Sequence, residues 1–200
     1  MSDPQRLQPL PPEHTPELKD EFDSFFKTLG FVPNSVLTMQ RKPKVAKAFV
    51  QMQRAIWDPD GKVDRGLKRL IAHAASRIAN DPYSMAHTAS GALHFGIAAE
   101  KLASVAQYET STTFTAAERA AIELAVKASS RPNAVTEATF GRLRQHWSEE
   151  QIVEILAVIA MAGFLTRWNV SMATPLEPEA KDIGERYLAP LGWTAGAHGR

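Results

Sequence analysis

The segment that most restricts the fold begins at Ser148. Ser148-Glu-Glu-Gln151 is a capping box, a signature that opens a helix by satisfying its free N–H groups. Behind it runs the most apolar stretch of the chain, Ile152 to about Met172. A helix apolar on most sides has to be surrounded, so this one predicts the central buried member of a helical array. Its longest uncharged apolar run, Ile155 to Thr166, is shorter than the ~20 residues of a bilayer crossing. No membrane partner is expected.

The rest of the chain has the same helical grain. There is no Asn-Gly hairpin and no dense β-branched alternation. Leu18, Phe22, Phe25 and Phe26 recur at helical spacing between Pro16 and Leu29, with Gly30 as the stop. Pro33-Asn34-Ser35 opens a short helix to Met39. Pro43 opens another to Trp57, with Val45, Phe49, Met52 and Ile56 on one face. Lys62 to Asn80 carries the stripe Leu67, Leu70, Ile71, Ala74, Ala75 and Ile78. Asp81 then caps a helix that starts at Pro82 and ends before Gly96. Further helices are expected over Ala98 to Tyr108, over Ala120 to Ala128 behind the capping box Thr115-Ala-Ala-Glu118, and over Ala134 to Trp147. The expected fold class is all-α, in a single domain over residues 15–190. An extended Pro-rich segment, 1–14, precedes it and a mobile tail, 191–200, follows.

Composition removes several function classes. The chain has 23 Lys+Arg and 22 Asp+Glu, a net charge of +1, so no strong field draws it to nucleic acid or to an anionic surface. It has no cysteine, which excludes disulfides, thiolate metal sites, thiol nucleophiles and thiol peroxidase chemistry together. No metal site is expected: His87 and His94 lie two helical turns apart, roughly 10.5 Å along the axis, and no other histidine or carboxylate completes a ligand set. No glycine-rich loop follows a strand, so no nucleotide cofactor is expected, nor any other cofactor. The N-terminus lacks the apolar core of a secretory signal, and a cytoplasmic location is the expectation.

The informative stretch is Leu67 to Gly96, LKRLIAHAASRIANDPYSMAHTASGALHFG. It resembles the alkyl hydroperoxidase D-like/carboxymuconolactone decarboxylase family. Leu29-Gly-Phe-Val-Pro-Asn34 resembles that family's N-terminal entry, Phe114 to Arg119 and Trp147 to Val153 the starts of its later helices, and Arg167-Trp-Asn169 its closing helix. The resemblance implies the family's helical array. It also implies a Cys-x-x-Cys pair where Asp81-Pro82-Tyr83-Ser84 stands, a relay histidine where Thr88 stands, and an upstream glutamate where Arg69 stands. Asp81 and Ser84 cannot pass through sulfenic acid and disulfide, so the redox relay is excluded by residue type. The family also contains decarboxylases of lactone acids that use no cysteine.

Two readings of function follow. In the first the protein is an enzyme, a lyase, decarboxylase or isomerase using acid–base chemistry on a small organic acid. The catalytic candidates are then His87, Ser84, Asp81 and Thr88. His87 would carry the proton, because imidazole exchanges one near neutrality. The substrate-binding candidates are Arg69, His73, Tyr83 and Arg167, with a guanidinium to clamp a carboxylate. In the second reading the chain is a non-catalytic family member kept for assembly or ligand binding. Each residue then has a plain role: Asp81 a cap, Ser84 and Thr88 helix hydroxyls, Tyr83 a packed aromatic, His73 a satisfied histidine, the arginines ion-pair partners. Under both readings the partners are a small molecule and further copies of the chain, as a dimer, trimer or hexamer.

Overall fold

The helices begin where short-range chemistry allows a helix to begin. The Thr115 and Ser148 hydroxyls accept from the backbone N–H groups of Glu118 and Gln151, at 3.2 and 3.3 Å. The two side chains answer by accepting from the cap amides. A third box, Thr136 with Thr139, was not foreseen. Asp64 and Asp81 cap the two helices between which the family resemblance was drawn, accepting from Leu67 N and Ser84 N at 2.8 and 3.1 Å. These contacts are local, which is why they were visible without a fold.

The computed structural model describes residues 6–199, and the regular structure among them is helical, without strands. The α-helices are α1 Lys19–Leu29, α2 Asn34–Met39, α3 Pro43–Ile56, α4 Arg65–Ile78, α5 Pro82–His94, α6 Ala99–Ala103, α7 Ala116–Ser129, α8 Glu137–Arg144, α9 Glu149–Met172 and α10 Pro178–Ile183. Helix α4 is the hub. It packs against α5, α7 and α9, and Leu70, Ile71 and Ala74 are wholly buried there. Withdrawing a leucine or isoleucine side chain such as Leu70 or Ile71 from water is worth roughly 2 kcal/mol. Asn80, in the left-handed region at φ 52°, turns the chain from α4 into α5, which lays the two helices side by side. A second apolar cluster, built on Phe22, Phe25, Phe49 and Met161, seats the N-terminal helices on α9.

Several expectations need correction. Helix α9 is not buried all round: Val153, Leu156 and Val170 face solvent. Its 24 residues are, by length and composition alone, enough to cross a membrane; in this fold they pack against α3, α4, α5 and α7. On α3 the buried face is Ala46, Phe49 and Val50, while Val45 and Met52 are exposed, a rotation of about one residue from the expected stripe. Phe26 and Ile78 are also exposed. The Ala98 to Tyr108 helix shortens to α6 and a 3-10 turn, and the Ala134 to Trp147 helix to α8. Helix α10 was not foreseen.

The closing segment was expected to be a free tail, and the described part, 191–199, is packed. Trp193 is buried, and its indole N–H donates to Pro82 O at 3.1 Å. His198 is buried, with Nδ1 2.7 Å from Thr174 O, while Leu176 N donates to His198 O at 2.8 Å. At the other end, residues 1–5 of the Pro-rich segment lie outside the described residues, and Leu10 and Pro11 are held by the Gln40 side-chain amide. Gly184 makes room for the Trp193 indole, because a Cβ there would come within 3.0 Å of its ring atoms. Gly184→Ala is expected to displace the indole and destabilise the fold by about 1–3 kcal/mol, the usual cost of overpacking. Urea unfolding followed by tryptophan fluorescence measures it, and an unchanged midpoint would show that the segment is not clamped there.

Candidate functional site

Helix α5 presents Tyr83 and His87 one turn apart on one face, with ring centroids 4.5 Å from each other. Over that face lies the turn after α9, where Thr174-Pro175-Leu176-Glu177-Pro178 leads into α10. This turn delivers Glu177, which no earlier reasoning had placed. His87 Nε2 lies 2.6 Å from Glu177 Oε2. Tyr83 donates its hydroxyl to Glu177 Oε1 at 2.8 Å, and the Asn34 backbone N–H donates to the same oxygen at 2.5 Å. The Asn34 side chain donates to Pro175 O at 3.0 Å and pins the turn itself. Phe31 closes the far side of the imidazole, 6.1 Å between ring centroids.

The electrostatics follow from burial. Glu177 is 6% exposed. Burial alone would raise its pKa, but the His87 charge and hydrogen bond and the Asn34 amide outweigh that and leave it below the ordinary carboxylate value. An ionised Glu177 only accepts, so the hydrogen on His87 sits on Nε2. When the ring is neutral, Nδ1 is then the nitrogen with a free lone pair. The side chain of His87 is 21% exposed, so the pair is open to a small molecule along one edge. Burial and the Glu177 charge raise Tyr83 well above the usual phenol range, so it remains a hydrogen-bond donor. A partly exposed histidine with one nitrogen fixed by a buried carboxylate is an arrangement suited to proton transfer.

The residues at the family's thiol positions form a second, enclosed layer. Asp81 is wholly buried, and burial raises its pKa although the Ser84 groups favour its charge. Its Oδ2 and the neighbouring Thr166 hydroxyl have no hydrogen-bond partner among the described residues. Ser84 is 5% exposed and receives the Asn169 side-chain amide at 3.4 Å, a long and weak contact. The Thr88 hydroxyl donates to Ser84 O at 2.6 Å, a bond within its own helix. His73 Nδ1 faces Met85 O and Thr88 Oγ1 at 3.1 and 3.2 Å. Burial drives the pKa of His73 down to about 4, and nearby Arg77 adds to the effect.

Of the eight residues singled out from sequence, the structure brings together Tyr83 and His87 in one cluster, and Asp81, Ser84, Thr88 and His73 in the layer beneath. Two belong to neither. Arg69 lies under Gly91, with its guanidinium carbon 3.7 Å above the centre of the Trp57 ring. Arg167, a substrate-binding candidate from sequence, is exposed, donates to Gly163 O at 2.8 Å and stands apart from His87. It lines a shallow hollow of about 370 Å³ on the outer side of α9, with Phe164 and Trp168. A second hollow, of about 20 Å³, lies beside Arg69. Neither touches His87 or Ser84. Asn34 and Asn169 stand in the sequence only as parts of motifs, and His198 lies in a stretch without pattern. Glu177 had no local signal, since it is one glutamate among many in a Pro-rich turn, 90 residues from its partner.

An all-helical array with its chemistry at the start of one helix, and no thiol in it, defines the class. The sequence model of the carboxymuconolactone decarboxylase family matches residues 43–127. The crystal structure of the debrominase Bmp8 is 32% identical with a TM-score of 0.82, covering 89% of this chain and 95% of that one. A cysteine-to-alanine variant of Bmp8 in complex with 2,3,4-tribromopyrrole is 31% identical with a TM-score of 0.85, covering 94% and 100%. The chain therefore belongs to the carboxymuconolactone decarboxylase family. The alkylhydroperoxidase AhpD core of a peroxidase-related protein from Ralstonia eutropha, 23% identical over 89% of this chain and 95% of its own, has the same fold with a TM-score of 0.76. The uncharacterized protein YnjA of Escherichia coli K12 is 33% identical over 78 residues, 39% of this chain and 43% of YnjA. The matched stretch thus spans less than half of that curated relative.

His73 carries a pH prediction. Its folded pKa of about 4 lies below the ordinary 6.5, so between these values the unfolded chain binds a proton that the folded chain refuses. The stability this supplies is complete above pH 6.5 and is lost as pH falls towards 4. The loss is on the order of 3 kcal/mol at about 1.36 kcal/mol per pKa unit. Urea unfolding at pH 7 and pH 4.5 should show the drop in the wild type and a smaller drop in His73→Asn. Equal drops would remove His73 as its source.

Proposed function

We propose that this protein is a cysteine-independent acid–base enzyme of its family, a decarboxylase, lyase or isomerase acting on a small organic acid. The observation that carries the reading is the 2.6 Å contact of His87 Nε2 with Glu177 Oε2, with Glu177 held in turn by Tyr83 and Asn34. In a decarboxylation the C–C bond to the carboxylate breaks and CO2 leaves. The electron pair stays on carbon and takes a proton from Nδ1 of the imidazolium form of His87, and the neutral ring then regains that proton from solvent. In an isomerisation the same nitrogen removes a proton from one carbon and returns it to another. Glu177 stabilises the imidazolium form and fixes the tautomer of the neutral form, as a buried carboxylate does beside any catalytic histidine. Bmp8 is a debrominase in a fold this similar, which supports a catalytic use of the scaffold.

Two substitutions test this. His87→Ala should abolish turnover of lactone and keto acids while circular dichroism stays unchanged. Glu177→Gln is the sharper variant. Its amide would donate to Nε2, move the ring hydrogen to Nδ1 and lower kcat by about 10²–10⁴ with little change in KM. Undiminished kcat in both folded variants would sink the assignment.

The second reading is a non-catalytic binding or assembly protein. It is favoured by the closure of the Asp81–Ser84 layer and by the two hollows that bypass it. That reading expects no turnover of any lactone, peroxide or keto acid by the wild type. Assembly into a homo-oligomer, dimer, trimer or hexamer, and a cytoplasmic location belong to both readings. Val153, Leu156 and Val170 on the outer face of α9 support assembly, since such a stripe is costly to leave in water. Light scattering is expected to give at least twice the chain mass; monomer alone at high concentration would contradict it.

A further inference from the structure

Among the described residues, Arg69 has no counter-ion. Its side chain runs along α5 in space left by Gly91, where a Cβ would stand 2.8 Å from Arg69 Cδ and 3.1 Å from Arg69 Nε. The guanidinium carbon stands over the Trp57 ring, 3.7 Å from its centre, and 5.9 Å from that of Phe95. Arg65, one turn earlier on α4, covers the same Phe95 ring at 4.2 Å. Lys68 stands on the same hollow, but its ammonium is already used by Glu154 and by Ile56 O. Arg69 Nε is buried and has no hydrogen-bond partner among the described residues. Two guanidiniums one turn apart repel each other, and burial and the Arg65 charge together bring the Arg69 pKa down to about 10, still protonated at neutral pH.

A largely buried cation is expensive unless something negative meets it. Glu154, the carboxylate that pairs with neighbouring Lys68, is also taken by the Lys62 and Val63 amides. What adjoins Arg69 instead is a half-open hollow of about 20 Å³, bounded by Trp57, Arg65, Lys68, Arg69 and Phe95. That is room for one small head group and no more, since a single water needs about 10–15 Å³ measured this way. Two flat guanidiniums match the two oxygens of a carboxylate. The aromatic walls suit an apolar body attached to it.

We propose that the hollow between Trp57 and Phe95 is a carboxylate-binding site, in which Arg69 and Arg65 hold the head group of a small organic acid. It is separate from the His87–Glu177 pair, shares no residue with it and does not depend on that pair being catalytic. The carboxylate has two possible sources, a free acid or an acidic side chain on a second copy of the chain, and the site commits to the first.

The test is a titration of the full-length protein with sodium benzoate at constant ionic strength, with chloride as the control, followed by NMR. Saturable shifts of the Trp57 indole N–H and the Arg69 Nε–H are expected with benzoate and not with chloride. Arg69→Gln should weaken binding by about ten-fold or more, the scale of a lost charge-assisted pair. Arg65→Gln, at an exposed position, keeps the test valid if the Arg69 variant fails to fold, and should weaken binding several-fold. Self-association of the wild type that benzoate dissolves, and that Arg65→Gln lacks, would place the carboxylate on a second copy and overturn the free-acid site. Shifts that match chloride, or that persist unchanged in the variants, would overturn the site altogether. His87→Ala should bind benzoate as the wild type does, so failure here and failure of the acid–base reading are separate results.

Discussion

A carboxylate almost removed from water must have its oxygens answered, and in this protein the answers come from two distant parts of the chain. Glu177 takes a backbone N–H from the start of α2 and a hydroxyl and an imidazole from α5, and it sits itself at the head of α10. Leaving any of these donors unanswered in the interior would cost on the order of 1–3 kcal/mol. The requirement therefore fixes more than one side chain. It sets how the turn after α9 crosses α5, which way His87 points, and which of its nitrogens carries the hydrogen. The closing segment then covers the same region, with Trp193 against Pro82 and His198 against Thr174.

The family's scaffold is thus used with different chemistry at its centre. The positions that would hold thiols by resemblance hold a cap and a hydroxyl, and both are turned inward. Asp81 spends one oxygen on the Ser84 amide, and Thr88 bonds back along its own helix. What remains accessible is one turn away, at His87. Arg69, which by resemblance stands at the family's upstream glutamate, lies outside this centre, in the space over Gly91 with its guanidinium over the Trp57 ring.

The parts of this arrangement that could be read in advance were those held by near neighbours. The capping boxes at Thr115 and Ser148, the Asp81 cap and the stops at Gly30 and Gly96 depend on contacts within a few residues. The face of α3 was misjudged because Val45 and Ala46 differ by 100° of helix, and only the packing against α9 says which of them is inside. Helix α9 was taken for a fully buried rod because composition reports apolarity and not the number of neighbours. Trp193 and His198 sit in a stretch without period, so nothing local distinguished a packed end from a loose one.

By itself the sequence determined an all-helical array, the order of most of its helices, and the impossibility of thiol chemistry, because caps, periodicity and residue type are local or covalent facts. His87 and Tyr83 were legible as a pair for the same reason, being one helical turn apart. Only the tertiary structure decided that Glu177 completes them, that Arg69 and Arg167 stand elsewhere, and that the end of the chain is packed. Those contacts join residues tens of positions apart in the chain. They depend on the angle at which one helix crosses another, which is set by the fit of whole apolar faces rather than by any short stretch of residues.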